Sequence, residues 1–300
     1  MASVALVVAV GACSSGPVPS PAPSSSSPPA TALAVPSTTS STAKQVGTGS
    51  LTGRIAFDNW DDVYTIDADG SNLTPLTNGP IHEFDPSWSP DGSRIAYRTD
   101  AGDVTEIWLM NADGTDQHRL TEGLSPAWSP DGSTIAFAGP KGSTGIITLI
   151  RPDGTGLRQL ADTEGGEYPS WSPDGTRIAF NENLSGNHRM HIVQVDGSGV
   201  TGPIGGGEGW QVAWSRDGAS ILFTSHRDHP DNYTDVYVME PDGSNVRRLT
   251  EISAYTPAWS PDGRHIVLSA PGLFVMNADG TGLVSLPTNV GETSLPDWTD

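Results

Sequence analysis

The chain has 300 residues, of which Gly 35 and Pro 25 fill a fifth, while apolar residues reach only 35%. That load of helix breakers excludes a helical bundle and leaves either disorder or an all-β fold with frequent turns. Nine Trp beside only fifteen Lys and Arg argue against wholesale disorder, and the net charge of −20 excludes nucleic acid or an anionic membrane surface as partner of the folded part.

In chain order, the first element is a short apolar run, Val4–Val10, followed by the small residues Gly11 and Ala12 and then Cys13. The run is too short to span a bilayer and reads as the core of a secretory signal peptide over residues 1–13. Val10-Gly11-Ala12-Cys13 resembles the bacterial lipobox, which makes Cys13 the expected site of lipidation. The other reading is a chance cysteine in an ordinary signal peptide, and residues 1–12 lack the usual Lys or Arg of such leaders. Cys13 is the sole cysteine, so no internal disulfide can form.

Residues 14–50 are mostly Ser, Thr, Pro, Ala and Gly, with Lys44 the only charged residue. Such a segment cannot bury enough apolar surface to offset its ordering entropy and is expected to be a disordered tether.

From residue 51 a repeat takes over. Trp-Ser-x-Asp-Gly begins at Trp88, Trp128, Trp171, Trp214 and Trp259, with a truncated copy at Trp298; the spacings are 40, 43, 43, 45 and 39. Seven residues after each full-copy Trp comes an apolar triplet such as Ile95-Ala-Tyr97 or Ile178-Ala-Phe180. A second Asp-Gly follows in each unit, at Asp69, Asp113, Asp153, Asp196, Asp242 and Asp279.

Each unit predicts four short strands; in the second copy they are Pro86–Ser89, Arg94–Arg98, Glu106–Asn111 and His118–Thr121. Asp-Gly supplies the positive φ that tight hairpins require. One such sheet exposes both faces, so several must stack radially as a β-propeller. The first copy lacks its opening strand and the last copy is only an opening strand. Joining Trp298 to the sheet of Ile55 therefore predicts six closed blades over residues 51–300.

Trp88–Tyr97, Ile107-Trp-Leu-Met-Asn-Ala-Asp-Gly114 and Arg119-Leu-Thr121 together resemble the repeat of the TolB-like propellers. The resemblance implies this fold across residues 51–300. TolB itself is a periplasmic protein with an α/β domain before its propeller, and here the tether stands in that place. Related propellers also gate serine peptidases, and a few family-like propellers are lyases.

In an up-and-down blade, the first-to-second and third-to-fourth turns share one face of the disc. All eleven Asp-Gly turns lie there. Their expected role is hairpin geometry; a calcium reading of Asp67–Gly70 or Asn111–Gly114 lacks the later ligands of an EF-hand. The other face carries the blade-to-blade loops, 77–85, 122–125, 162–168, 205–211, 251–255 and 288–294. These hold Glu83, Glu122, Glu164, Glu167, Glu208, Glu251 and Glu292, with Phe84, Asp85, Tyr168, Trp210 and Tyr255 among them. A rim of carboxylates and aromatics at the channel mouth would attract a cationic peptide or a cation; the plainer reading is solvated loop acids.

Catalytic motifs are missing: no nucleophilic Cys, no Gly-x-Ser-x-Gly, no His-Glu-x-x-His and no phosphate loop. His191 reads as a packed strand residue. His226 and His229 are a weak metal candidate, with Asp231 and Asp235 close in sequence. No cofactor is expected. The leading expectation is a monomeric, envelope-exposed propeller lipoprotein that binds a protein or cationic peptide and meets the membrane only through its anchor. The alternative is a carbohydrate lyase or hydrolase using His82, His226 or His229 with nearby carboxylates.

Overall fold

The computed structural model describes residues 51–300 apart from 103, 140–144, 185, 230 and 232. The expected signal peptide, Cys13 and the expected tether over residues 14–50 lie outside the described residues.

Every regular element is a strand. Blade one holds β1 (Arg54–Asp58), β2 (Val63–Asp67) and β3 (Thr74–Pro75). Blade two holds β4 (His82–Trp88), β5 (Arg94–Ala101), β6 (Val104–Asn111) and β7 (His118–Glu122). Blade three holds β8 (Leu124–Trp128), β9 (Ile135–Ala138), β10 (Ile146–Ile150) and β11 (Arg158–Glu164). Blade four holds β12 (Gly166–Trp171), β13 (Arg177–Leu184), β14 (Asn187–Gln194) and β15 (Val200–Ile204). Blade five holds β16 (Trp210–Trp214), β17 (Ile221–Ser225), β18 (Asp235–Met239) and β19 (Arg247–Arg248). Blade six holds β20 (Tyr255–Trp259), β21 (His265–Ala270), β22 (Gly272–Asn277) and β23 (Val284–Ser285). The last strand, β24 (Ser294–Thr299), crosses back to pair with β1, with Ile55 opposite Trp298. The result is six four-stranded antiparallel sheets, closed as the repeat count predicts.

The apolar core is divided among the blade interfaces. Ile55 and Phe57 pack toward blade six with Val267 and Trp298, whereas Ala56, between them in sequence, faces blade two beside Trp88. Ala96 likewise meets Trp128, and Ala179 meets Trp214. The middle residue of each triplet thus faces the next blade's indole, as period-two alternation requires; it is alanine in four blades, and Leu222 and Val267 take the same place beside Trp259 and Trp298.

The indoles settle in two ways. Arg54, Arg94 and Arg177 lie over Trp88, Trp128 and Trp214 at 4.7, 5.3 and 4.7 Å, and those three Nε1 atoms have no partner. The corresponding residues of the other blades are Thr134, Ser220 and His265. There Trp171, Trp259 and Trp298 instead donate Nε1–H to the carbonyls of Ala127, Ala213 and Thr52.

The opening strand of blade two differs from its predicted span. It begins at His82, because the extended β5 continues pairing to Asp100 past a bulge. Glu83, Phe84 and Asp85 are therefore strand residues and buried, not members of an exposed loop.

Candidate functional site

The bulge recurs in every blade. Register breaks between Phe84 and Ser87, Leu124 and Ala127, Glu167 and Ser170, Trp210 and Ala213, Tyr255 and Ala258, and Ser294 and Asp297. In each, one residue takes a left-handed conformation: Asp85, Ser125, Tyr168, Gln211 and Thr256, with Leu295 as the sixth, at φ between 44° and 58°. Proline follows five of them, as Pro86, Pro126, Pro169, Pro257 and Pro296. A non-glycine residue held there costs about 1 kcal/mol or more, so the geometry must be imposed by the bulge. All six line a central cavity of about 250 Å³.

Below this ring the bore is lined by small side chains: Ser87, Ala127, Ser170, Ala213 and Ala258. The remaining position, on β24 in the sheet of blade one, is Asp297. Its carboxylate accepts the Trp88 N–H at 2.7 Å, and burial raises its pKa.

A second ring comes from the residue after each apolar triplet: Asp58, Arg98, Ala138, Asn181, Thr224 and Ser269. Asn181 accepts the Gln211 N–H at 2.7 Å and donates to the Gly209 carbonyl at 2.8 Å. The Gln211 side chain accepts from the Thr224 hydroxyl and the Thr256 N–H, and the Thr256 hydroxyl accepts the Leu295 N–H. That half of the belt is uncharged and closely bonded except at Ser269, whose buried hydroxyl has no partner.

The other half is charged and incompletely paired. Asp85 Oδ2 meets Arg98 at 3.2 Å and the Ser125 hydroxyl at 3.2 Å, while Asp85 Oδ1 is buried without a partner. Among the described Asp, Glu, Lys and Arg residues, the buried unpartnered atoms belong to Glu83, Asp85 and Arg98. Burial, reinforced by Asp85, pushes the Asp58 carboxyl up to about 7. Burial and neighbouring Asp62 push Glu83 up to about 7. Burial also raises the Tyr168 phenol, with Asp85 adding to the effect. Leaving such groups under-satisfied costs stability, and groups of this kind cluster where ligands bind.

The predicted site residues divide accordingly. Asp85 and Tyr168 reach the cavity wall. Phe84 is buried behind them, with Arg98 at 4.6 Å and His82 and Trp60 at ring distances of 6.0 and 6.2 Å. Glu167 sits on β12 near the Asn183 amide at 3.4 Å. Glu122, Glu208 and Glu251 are exposed and engage local partners, Arg119 at 3.7 Å, the His226 ring at 2.8 Å and Arg248 at 4.0 Å. Trp210 lies between His188 and His226, at 5.2 and 5.3 Å. Neither Trp210 nor the exposed Tyr255 lines the central cavity.

Sequence reasoning missed Asp58, Trp60 and Arg98, and it passed over Ser125, Gln211 and Thr256. The last three were visible as the column three residues before each Trp, varied beside a recurring Pro.

The histidines do not converge. His82 pairs with Asp61 at 3.0 Å, His226 with Glu208, and His229 with Asp235 at 2.5 Å. Asp235 is fully buried and also takes Arg248 and the Thr250 hydroxyl, which makes a structural knot of that cluster. No group of three His, Cys, Asp or Glu suited to a metal occurs among the described residues. The Asp-Gly turns use their carboxylates internally: Asp69 accepts from both the N–H and the hydroxyl of Ser71.

Residues 47–204, just over half of the chain, match the TolB beta propeller domain. The chain belongs to the TolB β-propeller family. A 34-residue stretch is 53% identical to the Tol-Pal system protein TolB of Anaeromyxobacter dehalogenans, covering 11% of this chain and 8% of that protein. A 61-residue stretch is 34% identical to the uncharacterized peptidase YuxL of Bacillus subtilis, covering 20% of this chain and 9% of the relative. The matched stretches thus span under a tenth of these relatives' length.

Among solved structures, TolB from Acinetobacter baumannii superposes with a TM-score of 0.71 at 22% identity, over 82% of this chain and 66% of that one. The tricorn protease gives 0.62 at 16% identity, over 79% of this chain and 25% of that one. Both likenesses concern the fold.

Proposed function

We propose that this propeller is an extracytoplasmic binding scaffold whose channel-mouth face captures a peptide segment of a partner protein. The observation that supports this reading is the mouth ring. One bulged position per blade, held in an uncommon conformation, presents six different side chains around a single cavity. Identical backbone with divergent chemistry is what recognition of an asymmetric partner requires. Glu83, Phe84, Asp85, Glu167 and Tyr168 form the acidic and aromatic sector of that face, with Glu122, Glu208, Trp210, Glu251 and Tyr255 farther out on the same rim.

Anchoring through Cys13, with residues 14–50 as spacer, would hold the disc at a membrane surface. Cys13→Ser would then shift the protein from the membrane to the soluble fraction.

The enzyme alternative has less support, since each of His82, His226 and His229 engages its own carboxylate away from the cavity lining.

The test selects binders for the full chain from a random dodecapeptide library and measures their affinity calorimetrically. Reversing the accessible acids together, Glu167→Lys with Glu251→Lys, should weaken the binders at least tenfold. Unchanged affinity for every binder would remove the mouth as the binding face.

A further inference from the structure

The loop between β1 and β2 presents a large aromatic to solvent. Trp60 is 54% exposed and holds φ at 73°, a conformation that a bulky residue seldom adopts. The loop is braced from all sides. Asn59 accepts the N–H groups of Asp61 and Asp62, and its amide donates to the Val290 carbonyl at 3.2 Å. Trp60 N–H reaches Asp58, and the Asp61 carbonyl accepts the Glu83 N–H at 3.0 Å. The indole meets Phe84 edge-on, so it is continuous with the wall behind Asp85.

Acids surround it. Asp61 is 70% exposed, and Asp62 lies close enough to Glu83 to raise its pKa. Glu83 is 8% exposed and has Oε2 unpartnered, a buried acceptor on the side of β4 that faces Asp62 and Thr77. The partners are the His82 ring on Asp61 and the Arg98 guanidinium on Asp85, which leaves the patch acidic overall. An exposed, rigidly held indole beside under-compensated carboxylates fits the composition of a binding hot spot. Its charge selects a cation.

We propose that Trp60, Asp61 and Asp62 form the anchoring subsite of the mouth for a basic side chain of the bound peptide. The alkyl stem of a lysine or arginine lies on the indole, and its cationic head meets the two carboxylates. This inference rests on the peptide-binding reading above and names the chemistry of the ligand.

The test uses dodecapeptides selected on the full chain, synthesised singly and titrated at low and high salt. Each binder should carry Lys or Arg, lose at least tenfold on its replacement by acetyl-lysine or citrulline, and weaken as salt rises. Trp60→Gly should also cost at least tenfold in affinity while leaving Tm equal or higher, because glycine is relaxed at this φ. Which replacement matters tells lysine from arginine. Binders that tolerate Trp60→Gly, or that are neutral or acidic, overturn the subsite while leaving the mouth as a peptide site. A library that yields no binder overturns both.

Discussion

The two faces of the disc share one set of strands and differ in how far their polar groups are satisfied. On the turn face the same circuit recurs blade after blade. The Ser89 hydroxyl donates to Asp91 at 2.6 Å and accepts the Arg94 N–H at 2.9 Å, and Ser172 repeats this with Asp174 and Arg177. Those serine hydroxyls, helped by the N–H groups of Ser93 and Thr176, hold Asp91 and Asp174 down to about 2. On the mouth face the backbone repeats but the side chains do not, and acids such as Asp58 sit near 7 because burial is not matched by donors. Repetition there serves geometry, and the departures from it are where binding chemistry can be placed.

The comparison breaks outright if the ring opens. Trp298 is 1% exposed and packs between blades one and six. Trp298→Ala should cost about 3–5 kcal/mol, lowering the denaturation midpoint and loosening both faces together. A loss confined to one face would mean that closure does not unite them.

Asp58 separates the faces by pH. Its folded pKa is about 7, raised from 3.8, so the native state holds a proton that the unfolded chain releases. Its contribution is therefore fully present below about pH 4 and is lost as pH rises toward and through 7. Asp58→Asn removes the ionisation and keeps an acceptor for one of the two N–H groups, Trp60 or Asp85, that the carboxylate serves. Relative to the parent, the variant should be a few kcal/mol more stable at pH 8 than at pH 4, at about 1.4 per pKa unit. Denaturant midpoints across that range measure this; equal gains at both ends would assign the effect to something other than ionisation.

The fold was legible because its signals are repetitive and local: Trp spacing, Asp-Gly turns and the Ile-Ala-Phe triplet each follow from a steric rule. The mouth was only partly legible. Glu83 through Asp85 were singled out as site residues but placed in a solvent loop, because extension of β5 to Asp100 depends on pairing across the sheet. Asp58 and Arg98 were invisible, since Asp58 meets Asp85 across a blade boundary and Arg98 meets it across two strands of blade two. Trp60 lies outside the repeated motifs, and its contact with Phe84 of the next blade exists only in the folded chain.

On the turn face, Ser89→Ala and Ser172→Ala should each cost about 1 kcal/mol, the worth of a lost hydrogen bond. The sites lie in different blades, so the double variant should cost the sum. Unequal or non-additive losses would show that the copies are not independent.

The smallest effect tests the indole alternation. Thr134→Arg should bring a guanidinium over Trp171, as Arg94 lies over Trp128 at 5.3 Å, and release the Trp171–Ala127 hydrogen bond of 3.1 Å. A cation–π contact at a part-exposed site is worth about 0.5–1 kcal/mol, close to the net worth of the bond it replaces. Stability should therefore change by less than about 1 kcal/mol, whereas the indole N–H resonance of Trp171 should move toward those of Trp88 and Trp128. A large stability change without that movement would mean that the arginine has found another partner.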